Sequence, residues 1–300
     1  MTRPLRIEFP GAVYHVTSRG DRQERIFKDD IDRRRLLAIL DSALLRFDAE
    51  MFAFCLMGNH YHFVMRTRQP TLSRLMRQVN GEYTRAFNHR HELTGHVFQG
   101  RFHGVLVDSD SYLLTLCRYV EMNPVRAGLV KSPEQWLWSS YRAHVGLEHG
   151  RVWLSTDVVH GHLLQREVRT PEDRRQAQRL YAETATSSPV DSLWTEHLHG
   201  EIFLGSEVFA SEMLSRAKPP RLECPEIAAA QRTRPGMRLQ DWISRDRTRA
   251  ESFRLAYSRG GLTMSEIARQ AECSVTTVSR AIAQAERAQN ARPDTAKRKT

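Results

Sequence analysis

An α+β fold is predicted for the first half of this chain, an antiparallel sheet with helices packed on it on the ferredoxin-like plan. Three observations carry the prediction. Apolar runs of strand length and runs in helical spacing follow one another as strand, helix, strand, strand, helix, strand. The dipeptide Gly58-Asn59 separates the two middle strands as a tight hairpin turn, glycine tolerating positive φ. The 300 residues are 40% hydrophobic and 27% charged, enough for a sizeable core and, at about 100–200 residues per domain, for two or three domains.

Val13–Ser18 is the first strand. Asp30–Asp48 is a helix, with Ile31, Leu36, Leu37, Leu40, Leu44 and Leu45 on one stripe. Met51–Met57 and His60–Arg66 form the strand pair. Leu72–Asn88 is the second helix through Leu75, Met76, Val79, Tyr83 and Phe87. Phe102–Val107 supplies the fourth strand and Asp110–Met122 a further helix, after which Trp136, Trp138 and Tyr141 read as core closing the domain.

The predicted organisation is a first domain over 1–145, a less legible and partly helical connecting region over 146–235, an all-α helix-turn-helix domain over 236–286 and a basic, disordered tail over 287–300. In the third part Ser265–Ala271 and Val275–Ala283 are helices around a turn at Glu272–Ser274. Ile267, Ala268, Val275, Val278 and Ile282 are expected to pack them together, leaving Ser274, Thr276, Thr277, Ser279 and Arg280 outward. A short polar face ending in arginine suits phosphates and major-groove base edges, the alternative being a plain helical hairpin.

The chain carries 45 Lys plus Arg against 35 Asp plus Glu, a formal charge of +10, and only five of the basic residues are lysine. Guanidinium forks match phosphate oxygens, so a polyanionic partner is expected, although codon usage alone could enrich arginine. Mean hydropathy of −0.53 and the absence of a long uncharged apolar run argue against a membrane span, and the N-terminus lacks the apolar stretch of a secretory signal, which predicts a cytoplasmic, nucleoid-associated protein. Cys55, Cys117, Cys224 and Cys273 lie far apart without a C-x-x-C pair and read as small buried hydrophobes.

Two motifs bear on chemistry. His60-Tyr61-His62 lies at the start of a strand, where residues i and i+2 share a face, so two imidazoles stand side by side and could hold one divalent metal; two histidines satisfied by hydrogen bonds are the alternative. In Arg118-Tyr119-Val120-Glu121-Met122-Asn123-Pro124, Tyr119 and Asn123 lie one turn apart on one helix face, and Pro124 is expected to end the helix with Asn123 in its last turn. Tyr119 reads as a nucleophile or as ordinary packing.

Together these segments become recognisable. Met57–Val64 (MGNHYHFV) resembles the histidine-hydrophobic-histidine motif of the HUH single-tyrosine transposases, and Arg118–Val130 (RYVEMNPVRAGLV) resembles the tyrosine helix of the REP-associated tyrosine transposases. The resemblance covers about residues 1–143, beginning at Gly11–Gly20. It implies the HUH nuclease fold, His60 and His62 as ligands of Mg²⁺ or Mn²⁺, Asn123 as a further ligand and Tyr119 as the nucleophile. It also implies single-stranded or hairpin DNA, such as repetitive extragenic palindromes, as substrate, cut through a 5′-phosphotyrosine intermediate. Tyr61 departs from the usual bulky hydrophobe and, by the strand pleat, should point away from the metal.

Arg66, Arg68, Gln99 and Arg101 are candidate strand contacts, while Ser274, Thr276, Thr277 and Arg280 are candidates for duplex DNA. The alternative function is a non-cleaving, sequence-specific DNA-binding regulator derived from a transposase. Monomer and homodimer both remain open at this point.

Overall fold

The structure is a computed structural model and describes residues 7–186, 197–199, 202–216, 239–244, 246–258, 262 and 264–290. It divides into two compact units, the first made of residues 1–45 and 49–220, the second of 221–300 together with 46–48.

In the first unit the elements are β1 (Ala12–Arg19), α1 (Asp30–Phe47), β2 (Ala49–Leu56), β3 (His60–Thr67), α2 (Leu72–His91), β4 (His103–Val107) and α3 (Ser109–Arg126). The sheet order begins β2-β3-β1-β4 with every pair antiparallel, which is the ferredoxin-like arrangement. The fold class is therefore α+β, as the alternation of apolar runs predicts. Two short strands extend the sheet: β5 (Leu198–His199) pairs with β6 (Phe203–Leu204), which runs parallel to β4.

Strand alternation gives the sheet two buried faces. Tyr61, Phe63 and Met65 lie on one, where the Tyr61 hydroxyl donates to Asn80 Oδ1 of α2 at 2.5 Å. Val13, Val64, Val105 and Val107 lie on the other, against Leu113, Leu116, Cys117 and Val120 of α3. The spacing of those four on α3 is i, i+3, i+4, i+7, the signature of one helical stripe. Burying each such aliphatic side chain stabilises the unit by about 1.5–3 kcal/mol relative to exposure, so the stripe fixes the rotation of α3 and with it everything that helix carries.

Several expectations are corrected. Gly58 and Asn59 make the β2–β3 turn without positive φ; the turn is instead held by Met57 N–H donating to His60 O at 2.9 Å, and by Gly58 O and Asn59 O accepting from Ile26 and Gly20. Pro124 does not end its helix, which continues to Arg126. The region 146–235 does not stand apart as a connector. Its described elements up to Arg216 belong to the first unit: after α4 (Tyr141–His144), which precedes the region, come α5 (Thr156–Leu164), α6 (Pro171–Thr186) and α7 (Glu207–Arg216), with Val159 and Tyr181 entering the core under α3. Within the same unit Tyr141 is fully buried, whereas Trp136 and Trp138 are only half-buried. Ile31 and Leu45 are exposed on α1.

The second unit contains α8 (Arg249–Ser258), α9 (Met264–Gln270) and α10 (Val275–Asn290) around Leu239, Phe253, Ala256, Leu262, Ile267, Ala268, Val278 and Ile282. Val275 was expected in that core but is 46% exposed, because it is the first residue of α10 and lies at the open end of the stripe it shares with Val278 and Ile282. The turn between α9 and α10 passes through Glu272 at φ +51°, and Ser274 Oγ accepts the Thr277 N–H at 3.1 Å as an N-cap. Helix α10 runs through 287–290, residues assigned above to a disordered tail; 291–300 and Cys224 lie outside the described residues.

Candidate active site

His60 opens β3 immediately after the turn, and His62 follows on the same face. Antiparallel register sets Arg19 opposite His60 and Thr17 opposite His62. The His60 and His62 rings stand 5.0 Å apart and nearly perpendicular, at 79°. His15, two residues before Thr17 on β1, stacks on His62 at 5.2 Å with its Nε2 3.0 Å from His62 Nδ1. Tyr61 is buried on the opposite face of the sheet, as the pleat requires.

Helix α3 brings the phenol. The Tyr119 ring lies edge-on to His62 at 6.4 Å and to His15 at 6.2 Å, and the Arg126 guanidinium sits 4.6 Å above it. Tyr119 and Arg126 are seven residues apart, two turns along one face, and they meet only because the helix survives Pro124. Asn123 explains that survival. Proline has no N–H to offer Val120 O, and Asn123 Nδ2 donates there at 3.2 Å and to Tyr119 O at 3.0 Å, leaving Oδ1 as the end outside those bonds.

Burial governs the electrostatics. It is the largest cause lowering the imidazole pKa at His15, to about 3, with His103 adding repulsion. His62 is held well below the ordinary value by burial, then by His15, His60 and Arg126. His60 is lowered by burial and by Arg19. All three are therefore neutral at pH 7, the state in which an imidazole has a lone pair for a metal.

The donor set fits a divalent cation. His62 Nε2 is buried and has no hydrogen-bond partner, an arrangement that costs desolvation unless the nitrogen meets one. His60 beside it is only half-buried, so the pair is reachable. Among the described residues no group of three or more His, Cys, Asp or Glu is placed to hold a metal. Two imidazoles would thus need oxygen donors, which the Asn123 amide, water or a phosphate can supply and which Mg²⁺ and Mn²⁺ accept.

The candidate strand contacts separate into two groups. Gln99 N–H donates to Arg19 O at 2.9 Å, which places Gln99 beside the residue opposite His60, and exposed Arg101 precedes β4, whose His103 pairs with Thr17. Arg66 and Arg68 lie at the other end of β3, both bound to Glu50, and are not brought to the histidines. In the second unit Thr276 and Arg280 are exposed on α10, while the Ser274 and Thr277 hydroxyls are joined to each other at 2.9 Å.

Sequence reasoning missed His15, Arg19 and Arg126. The first two depend on strand register, which no local pattern encodes; Arg126 was legible as i+7 from Tyr119 and was hidden by ending the helix at Pro124.

Among solved structures, one described as a REP-associated tyrosine transposase bound to a REP hairpin is 19% identical, matching 53% of this chain and 93% of its own with a TM-score of 0.43. No curated protein matches. Residues 9–123, a segment that begins before β1 and ends on Asn123, match the family model of the IS200-like transposases.

Proposed function

We propose that this chain is a metal-dependent endonuclease and strand transferase for single-stranded or hairpin DNA, working through a 5′-phosphotyrosine on Tyr119. The observation that carries the reading is the Tyr119 ring 6.4 Å from His62, whose buried Nε2 lacks a partner, with Arg126 on the ring face. The match of 9–123 to IS200-like transposases supports the same chemistry.

Tyr119 Oη attacks phosphorus, the bond to the 3′-oxygen breaks, and the phenolic proton leaves; the products are a phosphotyrosine and a free 3′-hydroxyl. Attack by a 3′-hydroxyl on that linkage reverses the step and joins DNA without another energy source. The guanidinium of Arg126, on the face of the Tyr119 ring, places a positive charge beside the nucleophile, where it would offset the charge of an incoming phosphate. Mg²⁺ or Mn²⁺ held by His60, His62 and Asn123 Oδ1 would polarise the phosphate and stabilise the departing oxygen. Gln99 and Arg101 would guide the strand past the His60 end of the sheet.

The second unit would hold duplex DNA through Thr276 and Arg280, with Ser274 and Thr277 fixing the start of α10. No helix among the described residues is long and apolar enough to cross a membrane.

The test is incubation of purified protein with end-labelled single-stranded hairpins, taken from repeats of its own genome, with Mn²⁺ or EDTA, followed by denaturing gels. A Mn²⁺-dependent covalent adduct that Tyr119→Phe abolishes is the expected result. Tight binding without adduct or cleavage would overturn the enzyme reading in favour of a DNA-binding regulator.

A further inference from the structure

Asn59, the residue before the histidine pair, has its side chain fixed at both ends. Its Nδ2 donates to Gln23 O at 2.9 Å, and its Oδ1 lies 2.7 Å from His60 Nδ1. A backbone carbonyl can only accept, so Gln23 O determines which end of the Asn59 amide faces it. The other end, Oδ1, can also only accept. His60 Nδ1 must then carry the proton, and His60 Nε2 keeps its lone pair.

The Gln23 carbonyl is itself presented by an unusual turn. Arg22 and Gln23 are consecutive non-glycine residues at φ +50° and +64°, a backbone state that costs free energy and persists only when its surroundings impose it. Gly20 admits the turn: a Cβ there would lie 2.1 Å from Glu24 O. The turn is joined to the hairpin by Gly20 N–H donating to Asn59 O at 2.8 Å and Ile26 N–H donating to Gly58 O at 3.2 Å. Arg19 adds a bond from its Nη2 to Gln23 Oε1 at 3.2 Å.

We infer that Asn59 is a positioning residue which, braced by the 20–24 turn, locks His60 as the Nδ1–H tautomer and turns its Nε2 lone pair into the site. The metal-binding consequence rests on the function proposed above; the tautomer does not. Hydrogen-bonded partners of this kind around liganding histidines commonly contribute about 10–100-fold in metal affinity.

The test uses full-length, ¹⁵N-labelled protein, with long-range ¹H–¹⁵N correlation of the histidine rings in the absence of metal and calorimetric titration with Mn²⁺. Wild type should show His60 protonated on Nδ1. Asn59→Ala should lose that preference and bind Mn²⁺ about 10–100-fold more weakly. Asn59→Asp, whose carboxylate still accepts from Nδ1, should restore the tautomer although it cannot donate to Gln23 O. A wild-type His60 protonated on Nε2, or an Asn59→Ala protein with unchanged tautomer, would overturn the inference without any variant activity being measured. Should wild type bind no Mn²⁺, the metal reading of the site falls while the tautomer comparison still decides the role of Asn59.

Discussion

Helix α3 serves two buried polar clusters, and they differ in one respect. Beyond Tyr119 lie His15 and His62; two residues further along, about 200° around the helix, Glu121 meets a second group. Its Oε1 accepts from Ser140 and, at 2.7 Å, from His144 Nδ1, while Oε2 accepts from Tyr181 at 2.8 Å. Each cluster leaves imidazole nitrogens without a hydrogen-bond partner: His62 Nε2 in the first, His144 Nε2 and His160 Nδ1 in the second. An unpaired nitrogen therefore does not by itself identify a working site. His144 and His160 are fully buried with no half-exposed neighbour among their imidazole partners, whereas His62 stands beside half-buried His60 and Tyr119. Access separates the group that can meet a substrate from the group that holds the helix.

The largest expected effect breaks the first cluster and leaves the second intact. Tyr119→Phe should reduce cleavage and adduct formation on hairpin DNA by on the order of 10³-fold or more, as loss of a nucleophile does, with an unchanged thermal melt. Residual cleavage at wild-type rate would make Tyr119 a packing residue. The converse variant, Glu121→Ala, strips one carboxyl from three donors in a dry environment and should cost about 3–5 kcal/mol in urea unfolding. A cost under about 1 kcal/mol would mean the cluster does not anchor α3.

Metal should sharpen the contrast. Mn²⁺ at roughly 100 times its dissociation constant stabilises a folded protein by about 2.7 kcal/mol, so it should raise the wild-type melt and leave His62→Ala unmoved. His160→Ala should respond to Mn²⁺ as wild type does. Smaller again is Asn123→Ala, which exposes the Val120 carbonyl that Pro124 cannot serve and should cost about 1 kcal/mol; a larger fall in Mn²⁺ affinity than in stability would assign the amide oxygen to the metal.

Local pattern made most of the sheet legible. The four strands and the helices α1, α2 and α3 follow apolar periods of two and 3.6 residues, and the histidine pair follows from the strand pleat alone. What stayed hidden was non-local. His15 reaches His62 through the β1–β3 register, and Glu121, an acidic residue in a helix, gave no sign of being buried because its partners lie 19, 23 and 60 residues away. Residues 146–216 were illegible for a related reason: α6 is polar along most of its length and, among its described residues, sets only the apolar Ala177 and Tyr181 into a core supplied by other elements.

The same distinction between committed and available groups applies to the candidate strand contacts, where two pairs of basic or polar residues, one at the far end of β3 and one before β4, differ in what already holds them. Arg66 and Arg68 share Glu50, so reaching a phosphate would require giving up an ion pair and leaving that half-buried carboxylate uncompensated. Gln99 and Arg101 are exposed next to the strand end that carries His60, and among the described residues Arg101 makes no ion pair. Arg101→Ala should therefore weaken hairpin binding and lower the slope of log affinity against log salt by about one, the signature of one lost phosphate contact. Arg68→Ala should leave that slope unchanged. Equal effects from the two variants would show that the strand runs the full length of β3 and that Glu50 yields its partners to DNA.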